Sequence, residues 1–361
     1  MAASTSGWVS PNGVEVDIQP FMSKGWQFIT LRMVEVIGGK IAEGSISFRG
    51  IGDDESLKVI TDLHNFTISI RKPEKEGVQY KIKAFITTRS WTMNYLDIKF
   101  VCIPDRKFFA EPVVLNQPDI TTALKQLWPD SQTLDLRCES DSSNDTVIQQ
   151  LGESNYNLCK KLALSYKKNS IFCFGVEGFM IKDIIGKDSL GNSEPGVLVI
   201  GDGQVLQTSG YNLNYNFKLY KQPEDPWTSE DYSEKKQSQH ITALTINEDY
   251  YLIHKDYHGL LGNYVHNKNL MESRMYSSFT VITPNDIPDF KIGDTVKYAR
   301  STESKTSKPM DTFTVTKMSY FISTENTDKD EHGNSFSVTA IFRGIQEGGK
   351  EFPTDDSLYD G

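Results

Sequence analysis

Residues Gln150 to Asp183 read QLGESNYNLCKKLALSYKKNSIFCFGVEGFMIKD, and this stretch decides the fold class. It predicts a capped amphipathic helix running directly into a β-hairpin. Ser154 is placed to cap the helix, because its side-chain oxygen can accept a hydrogen bond from a free N–H of the first turn. Leu158, Cys159, Leu162 and Tyr166 then fall at helical spacing on one face, with Lys160, Lys161, Lys167 and Lys168 mostly on the other. Asn169 suits the stop, and lysines near the end suit the negative pole of the helix. Ile171 to Phe174 and Phe179 to Ile184 follow as short apolar strands, with Gly175 and Gly178 around the turn. By pattern alone, the same residues would serve as a structural αβ-hairpin in any mixed domain.

Outward from this module the chain reads as sheet on both sides. Phe28 to Val36 predicts a long strand, and Phe66/Ile68/Ile70, Ile82/Ala84/Ile86 and Leu96/Ile98/Phe100/Cys102 alternate with residues facing the other way. Period-two alternation marks antiparallel sheet with one buried face. Asp119 to Trp128 predicts a short helix with Ile120, Leu124, Leu127 and Trp128 as its apolar stripe, ended by Pro129. Glu139 to Asp145 reads as a loop. Beyond it, strands are expected at 196–202, Tyr211–Tyr220, Ile241–Ile246, Met275–Ile282, Thr295–Ala299, Phe313–Ser323 and Ser335–Phe342, the last two bracketing a polar hairpin tip at Thr324–Asn334. The expected class is therefore α+β, mainly β, with two barrel-like antiparallel β-domains and a helix-containing α+β insert between them. Boundaries are placed at 1–105 for the first barrel-like domain, 106–190 for the insert with two helices, 191–345 for the second barrel-like domain with excursion loops at 221–270, and 346–361 for a flexible tail. A faint internal echo accompanies this layout: Phe48-Arg49-Gly50-Ile51 recurs as Phe342-Arg343-Gly344-Ile345, each after a strand.

The 361 residues carry 38% hydrophobic and 11% aromatic side chains, enough for buried cores and too many for a disordered chain. The net charge of −10 disfavours a nucleic-acid-binding surface, although an acidic wall would let a duplex pass without sticking. Cys102, Cys138, Cys159 and Cys173 form no CxxC pair and read as reduced, buried thiols. The N-terminus lacks the apolar core of a signal peptide, and no run of roughly 18 apolar residues could span a membrane. The expectation is synthesis and folding in a cytoplasm.

Gln150, Glu153, Ser154, Asn155, Tyr156, Leu158, Leu162, Ala163, Phe172 and Phe174 together resemble the signature of the baseplate hub family of contractile phage tails, whose module also opens the VgrG spike proteins of type VI secretion systems. Leu158-Cys159 and Lys161 stand where that family usually has Phe-Leu and an Arg. A second similar stretch is Ile287 to Tyr298, IPDFKIGDTVKY, in which Gly293-Asp294 fit a turn leading into a barrel strand; an ordinary hairpin turn favours the same residues. The resemblance implies a structural hub, a homotrimer whose two barrels per chain imitate six. Its implied partners are the tail tube or tube-initiator protein on one face, a central spike protein on the other, and the surrounding baseplate wedge proteins. Double-stranded DNA would pass through unbound, and the implied location is the virion tail baseplate, without a membrane anchor. No cofactor and no catalysis are implied.

Motifs for other chemistry are weak along the chain. His254, His258 and His266 are the candidate metal ligands, the first pair at i,i+4, but the Glu of H-E-x-x-H is absent and surface or packing roles suit them better. Asp328 to Gly333 partly mimics a calcium loop, with Thr339 where a bidentate acid is required; a polar hairpin tip suits it better. There is no P-loop and no G-x-S-x-G; Ser189 lacks the spacing for the latter. The alternative function is a glycan-binding or metal-dependent glycan-active β-protein, with Trp26, Trp91 and Trp227 as stacking candidates. A tube or distal tail protein is the third reading, disfavoured by the length of the chain.

Overall fold

The computed structural model describes residues 7–10, 13–50, 63–73, 79–92, 94–109, 116–117, 119–141, 147–148, 154–184, 196–199, 263–264, 267, 275–288, 290–299, 312–325, 328–330 and 333–345. The strands expected at Tyr211–Tyr220 and Ile241–Ile246, most of the 221–270 excursion and the 346–361 tail lie outside them.

The strands are β1 (Trp8–Val9), β2 (Glu15–Gln19), β3 (Gln27–Val36), β4 (Gly38–Ile41), β5 (Glu43–Arg49), β6 (Asn65–Arg71), β7 (Gln79–Thr92), β8 (Tyr95–Val101), β9 (Asn116–Gln117), β10 (Leu134–Leu136), β11 (Val147–Ile148), β12 (Ser170–Gly175), β13 (Gly178–Asp183), β14 (Gly196–Val199), β15 (Met275–Pro284), β16 (Thr295–Ala299), β17 (Thr312–Ser323) and β18 (Phe336–Ile345). The helices are α1 (Ile120–Leu127) and α2 (Asn155–Tyr166). The molecule is α+β and mainly β, as expected.

Two sheets matter for function. The larger has twelve strands in the order β1-β2-β6-β7-β8-β5-β3-β17-β16-β14, with β18 on β17 and β15 on β18. All its pairings are antiparallel except β14 with β16. Strand β17 joins the two ends of the chain. Its first residues pair with β16 and its later ones, Lys317 to Ser323, pair with β3. The alternation that predicted the N-terminal strands is obeyed: Phe66, Ile68, Ile70, Ile82, Ala84, Ile86, Leu96, Ile98 and Phe100 all point into the core.

The echo of Phe48-Arg49-Gly50-Ile51 in Phe342-Arg343-Gly344-Ile345 has a structural counterpart. In the β3–β5 hairpin Phe48 pairs with Phe28, and an irregularity follows before Thr30 pairs with Ser47. In the β17–β18 hairpin Phe342 pairs with Val315, and an irregularity follows before Lys317 pairs with Ile341. Each hairpin thus carries one unpaired residue, Ile29 or Thr316, at the same step from its phenylalanine. A bulge of this kind bends and twists its strand. Because β3 and β17 run antiparallel, a local twofold through the Met33–Tyr320 pair relates the two hairpins.

The smaller sheet has the order β10-β13-β12-β4, with β12–β13 as its central hairpin. Strand β4, the link between β3 and β5, pairs parallel with β12 and so docks the insert on the larger sheet. Every residue of β12 is buried, because the hairpin is covered on both faces. Ile171, Cys173 and Met180 pack against the larger sheet, while Phe172, Phe174, Phe179 and Ile181 pack under α1 and α2. The layers are therefore large sheet, small sheet, helices.

Both helices follow the sequence reading. The Asp119 carboxylate accepts from Thr122 N at 2.7 Å and caps α1, whose stripe Ile120, Leu124, Leu127 and Trp128 is buried. The Ser154 hydroxyl accepts from Asn157 N at 3.2 Å and caps α2. Leu158, Cys159, Leu162 and Tyr166 are buried as expected. One correction concerns the lysine face: only Lys168 is exposed, while Lys160, Lys161 and Lys167 are half-buried. The buried face is wider than the stripe and takes in Leu164 and Ser165.

Candidate functional site

The module that opened the sequence reading is assembled around aromatic rings. Tyr156 donates its hydroxyl to Gly39 O, fixing the start of α2 to β4, and Lys160 lies over the same ring at 5.3 Å. Phe174 stacks on Phe179 with ring centres 4.6 Å apart, and Trp128 and Phe108 close the cluster. Of the residues carrying the family resemblance, Ser154 to Ala163, Phe172 and Phe174 are thus brought together; Gln150 and Glu153 lie outside the described residues. The C-terminal end of α2 is held by a distant segment. Asn267 Nδ2 donates to Leu164 O at 2.9 Å and to Lys167 O at 2.5 Å, and Asn263 Nδ2 donates to Ser165 O at 3.3 Å.

Between the two sheets lies a cleft of about 590 Å³ lined by, among others, Glu35, Tyr80, Lys83, Arg137, Glu177 and Lys291. Its floor is Glu35 of β3, only 2% exposed. Tyr320 Oη of β17 donates to Glu35 Oε1 at 2.6 Å, and Val176 N, in the β12–β13 turn, donates to Oε2 at 2.9 Å. One side chain thus ties together an N-terminal strand, a C-terminal strand and the insert. Burial away from water raises the Glu35 carboxyl to about 7, against the lowering effect of its two hydrogen bonds. Burial likewise drives the Tyr320 and Tyr80 hydroxyls up, so both stay protonated. Gly175 allows the approach, since a Cβ there would stand 2.8 Å from Glu35 Oε2. Three cations at the cleft are paired: Lys83 with Asp130, Lys291 with Glu177 at 2.5 Å, and Arg137 with Asp135 at 2.6 Å.

Sequence reading missed Glu35, although a signal was present. In Leu31-x-Met33-x-Glu35-x-Ile37 the acid occupies a position of inward parity, where a lone charge is out of place.

The β7–β8 hairpin exposes two aromatic rings. Trp91 is 52% exposed and Tyr95 44%. Arg49 lies over the Tyr95 ring at 5.2 Å and pairs with Glu325 at 2.9 Å, linking this hairpin to the β17–β18 tip. Of the glycan-stacking candidates, Trp91 alone is placed at the surface. Trp26 is buried in the core, packed beside Gly50, because the inward face of the sheet needs a large apolar group there; Trp227 lies outside the described residues.

His254, His258 and His266 lie outside the described residues as well. Among the described residues no group of three or more His, Cys, Asp or Glu is disposed to hold a metal ion. Two acids of the calcium-like stretch are engaged: Asp328 accepts from Thr30 and Arg32 of β3, and Asp330 accepts from Asn334 N at 2.7 Å. The Gly293-Asp294 turn is formed, with Asp294 accepting from Lys291 N at 2.9 Å ahead of β16. No helix of the described residues is long and apolar enough to cross a membrane.

The fold of this chain is similar to that of a solved structure. The tail protein from Neisseria meningitidis MC58 superposes over 88% of this chain and 92% of its own, with a TM-score of 0.50 at 9% identity. The chain has that tail protein's fold. Also similar are the 43 kDa tail protein of prophage MuSo2 from Shewanella oneidensis (TM-score 0.47, 7% identity, 87% of this chain and 92% of that one) and the E. coli c3393 protein, a component of the type VI secretion system (TM-score 0.45, 11% identity, 94% and 79%). The sequence matches no protein-family model and no curated protein.

Proposed function

We propose that this protein is the structural baseplate hub of a contractile phage tail or a related injection machine. Three copies form a pseudo-sixfold ring that joins the sixfold tail tube to the threefold central spike and lets DNA pass. The observation that carries the reading is the shared fold with the Neisseria tail protein over nearly the whole of both chains. The signature residues of α2 and the β12–β13 hairpin, gathered around Tyr156 and Phe174, support it from the sequence side. In this reading residues 1–105 and 191–345 supply two barrel-like units and 106–190 braces them. Interfaces then replace an active site, and the exposed Trp91 and Tyr95 are suited to one, since large aromatics concentrate in protein–protein contacts. A net charge of −10 suits a lumen along which a duplex slides. The tube or tube-initiator protein, the spike and the wedge proteins are the partners, and the virion baseplate is the location.

The ring requires its two units to be related by rotation about the pore. The local twofold described above relates only the hairpins at their seam. Electron microscopy of the purified protein, with mass measured in solution, tests the proposal. Threefold rings with six peripheral lobes around a pore are expected. A monomer at high concentration, or a closed assembly without a pore, overturns it.

A further inference from the structure

The Glu35 node stands apart from any interface role. A buried carboxylate is costly, because its ionised form loses its hydration. Here the acid sits where three chain segments meet, at the floor of the cleft. We propose that Glu35 is a proton-controlled latch: protonated, it holds β3, β17 and the β12–β13 turn together, and on losing its proton it loosens the turn from the large sheet.

The groups facing it are known on every side. From β17 come the Tyr320 hydroxyl and, beside it, the Met318 sulfur at 3.7 Å from that hydroxyl. The β12–β13 hairpin gives Val176 N–H, Glu177 and the Cys173 thiol, and Lys291 approaches from the turn before β16. Tyr80 of β7 packs on Tyr320 at 5.7 Å, and Cys102 follows β8. Lys291 is the cation whose charge acts on Glu35, and it is already paired with Glu177; Lys83 and Arg137, which line the same cleft, are paired with Asp130 and Asp135. Ionised Glu35 therefore has hydrogen bonds but no counter-charge of its own. Moving the turn away would open the carboxylate to the water of the cleft.

The direction in pH follows. Glu35 rises from its ordinary 4.5 to about 7 on folding, so the folded chain keeps a proton that the unfolded chain has lost across that window. Stabilisation present below the lower value fades as pH rises through the upper one. The folding equilibrium constant should fall roughly a hundredfold between about pH 5 and about pH 8.5 from this group alone.

The test compares the full chain with Glu35→Gln, whose amide can accept from Val176 N–H while donating to Tyr320 Oη. Urea unfolding across that range should show the wild-type decline and not the variant's. Hydrogen exchange at the Val176 amide, corrected for the intrinsic effect of pH, should lose about tenfold protection in the wild type above neutrality. Tyr320→Phe removes a bond that favours the charged form, so its transition should move to higher pH. Equal pH slopes in wild type and Glu35→Gln overturn the proposal. If Glu35→Gln does not fold, flat protection at Val176 in the wild type, or an unmoved midpoint in Tyr320→Phe, overturns it equally.

Discussion

Asn267 offers the sharpest test of how the chain beyond the insert holds the insert in place. Its side chain is fully buried. Its Nδ2 meets three acceptors, Leu164 O at 2.9 Å, Lys167 O at 2.5 Å and Ser170 Oγ at 3.1 Å, while its Oδ1 accepts from Ser170 N at 3.2 Å. Two of these are carbonyls at the end of α2, which have no partner further along the helix. Asn267→Ala leaves the Leu164 carbonyl and the Ser170 amide unsatisfied, while Lys167 O keeps its bond from Ser170 Oγ at 2.7 Å. Each orphaned group costs about 1–3 kcal/mol when buried, and partial relaxation should hold the sum near 2–4 kcal/mol. Asn267→Asp should be worse than alanine, although it is the closer shape. It replaces the donor by a negative oxygen aimed at carbonyl oxygens, at the negative pole of a helix. Equilibrium urea unfolding of the three proteins at neutral pH, followed by circular dichroism, gives the order directly. The expected order of stability is Asn, then Ala, then Asp. If aspartate proves as stable as asparagine, the amide does not act as the donor at the end of α2, and this account of the helix terminus is wrong.

Gly178 has φ +141°, and a Cβ there would stand 2.0 Å from Thr133 O, so Gly178→Ala should break the β10–β13 pairing and cost at least about 3 kcal/mol in the same unfolding assay. Leu158→Ala and Leu162→Ala empty the space between α2 and the small sheet and should each cost about 2–5 kcal/mol, with calorimetric melting as the check. Replacing Trp91 and Tyr95 together by serine should leave monomer stability nearly unchanged, because both side chains are exposed, while sedimentation should show weakened self-assembly if the β7–β8 hairpin is an interface.

The helix-to-hairpin module was legible because its signals are local. A cap needs a hydroxyl or carboxylate at one position, as at Ser154, and a buried helix face needs apolar residues at a fixed spacing. The N-terminal strands were legible for the same reason, since alternation alone separates Phe66, Ile68 and Ile70 from their outward neighbours. The lysine face of α2 misled because long side chains lay their stems along apolar surface: the Lys160 stem lies against Gly39. Trp26 and Trp91 could not be told apart in sequence. One fills the core beside Gly50 and the other ends a hairpin, and exposure belongs to the packing, not to the residue type.

Sequence by itself determined the class, the two helices with the Ser154 cap of the second, the apolar β12–β13 hairpin and most strand positions, because each depends on a local pattern within one element. Tertiary structure alone decided that β17 completes the sheet begun by β3, that Asn267 closes a helix about a hundred residues earlier, and that Glu35 meets Tyr320 and Val176. These contacts join residues far apart along the chain. Their partners are chosen by how layers stack and which polar groups that stacking strands from water, and no local pattern records either.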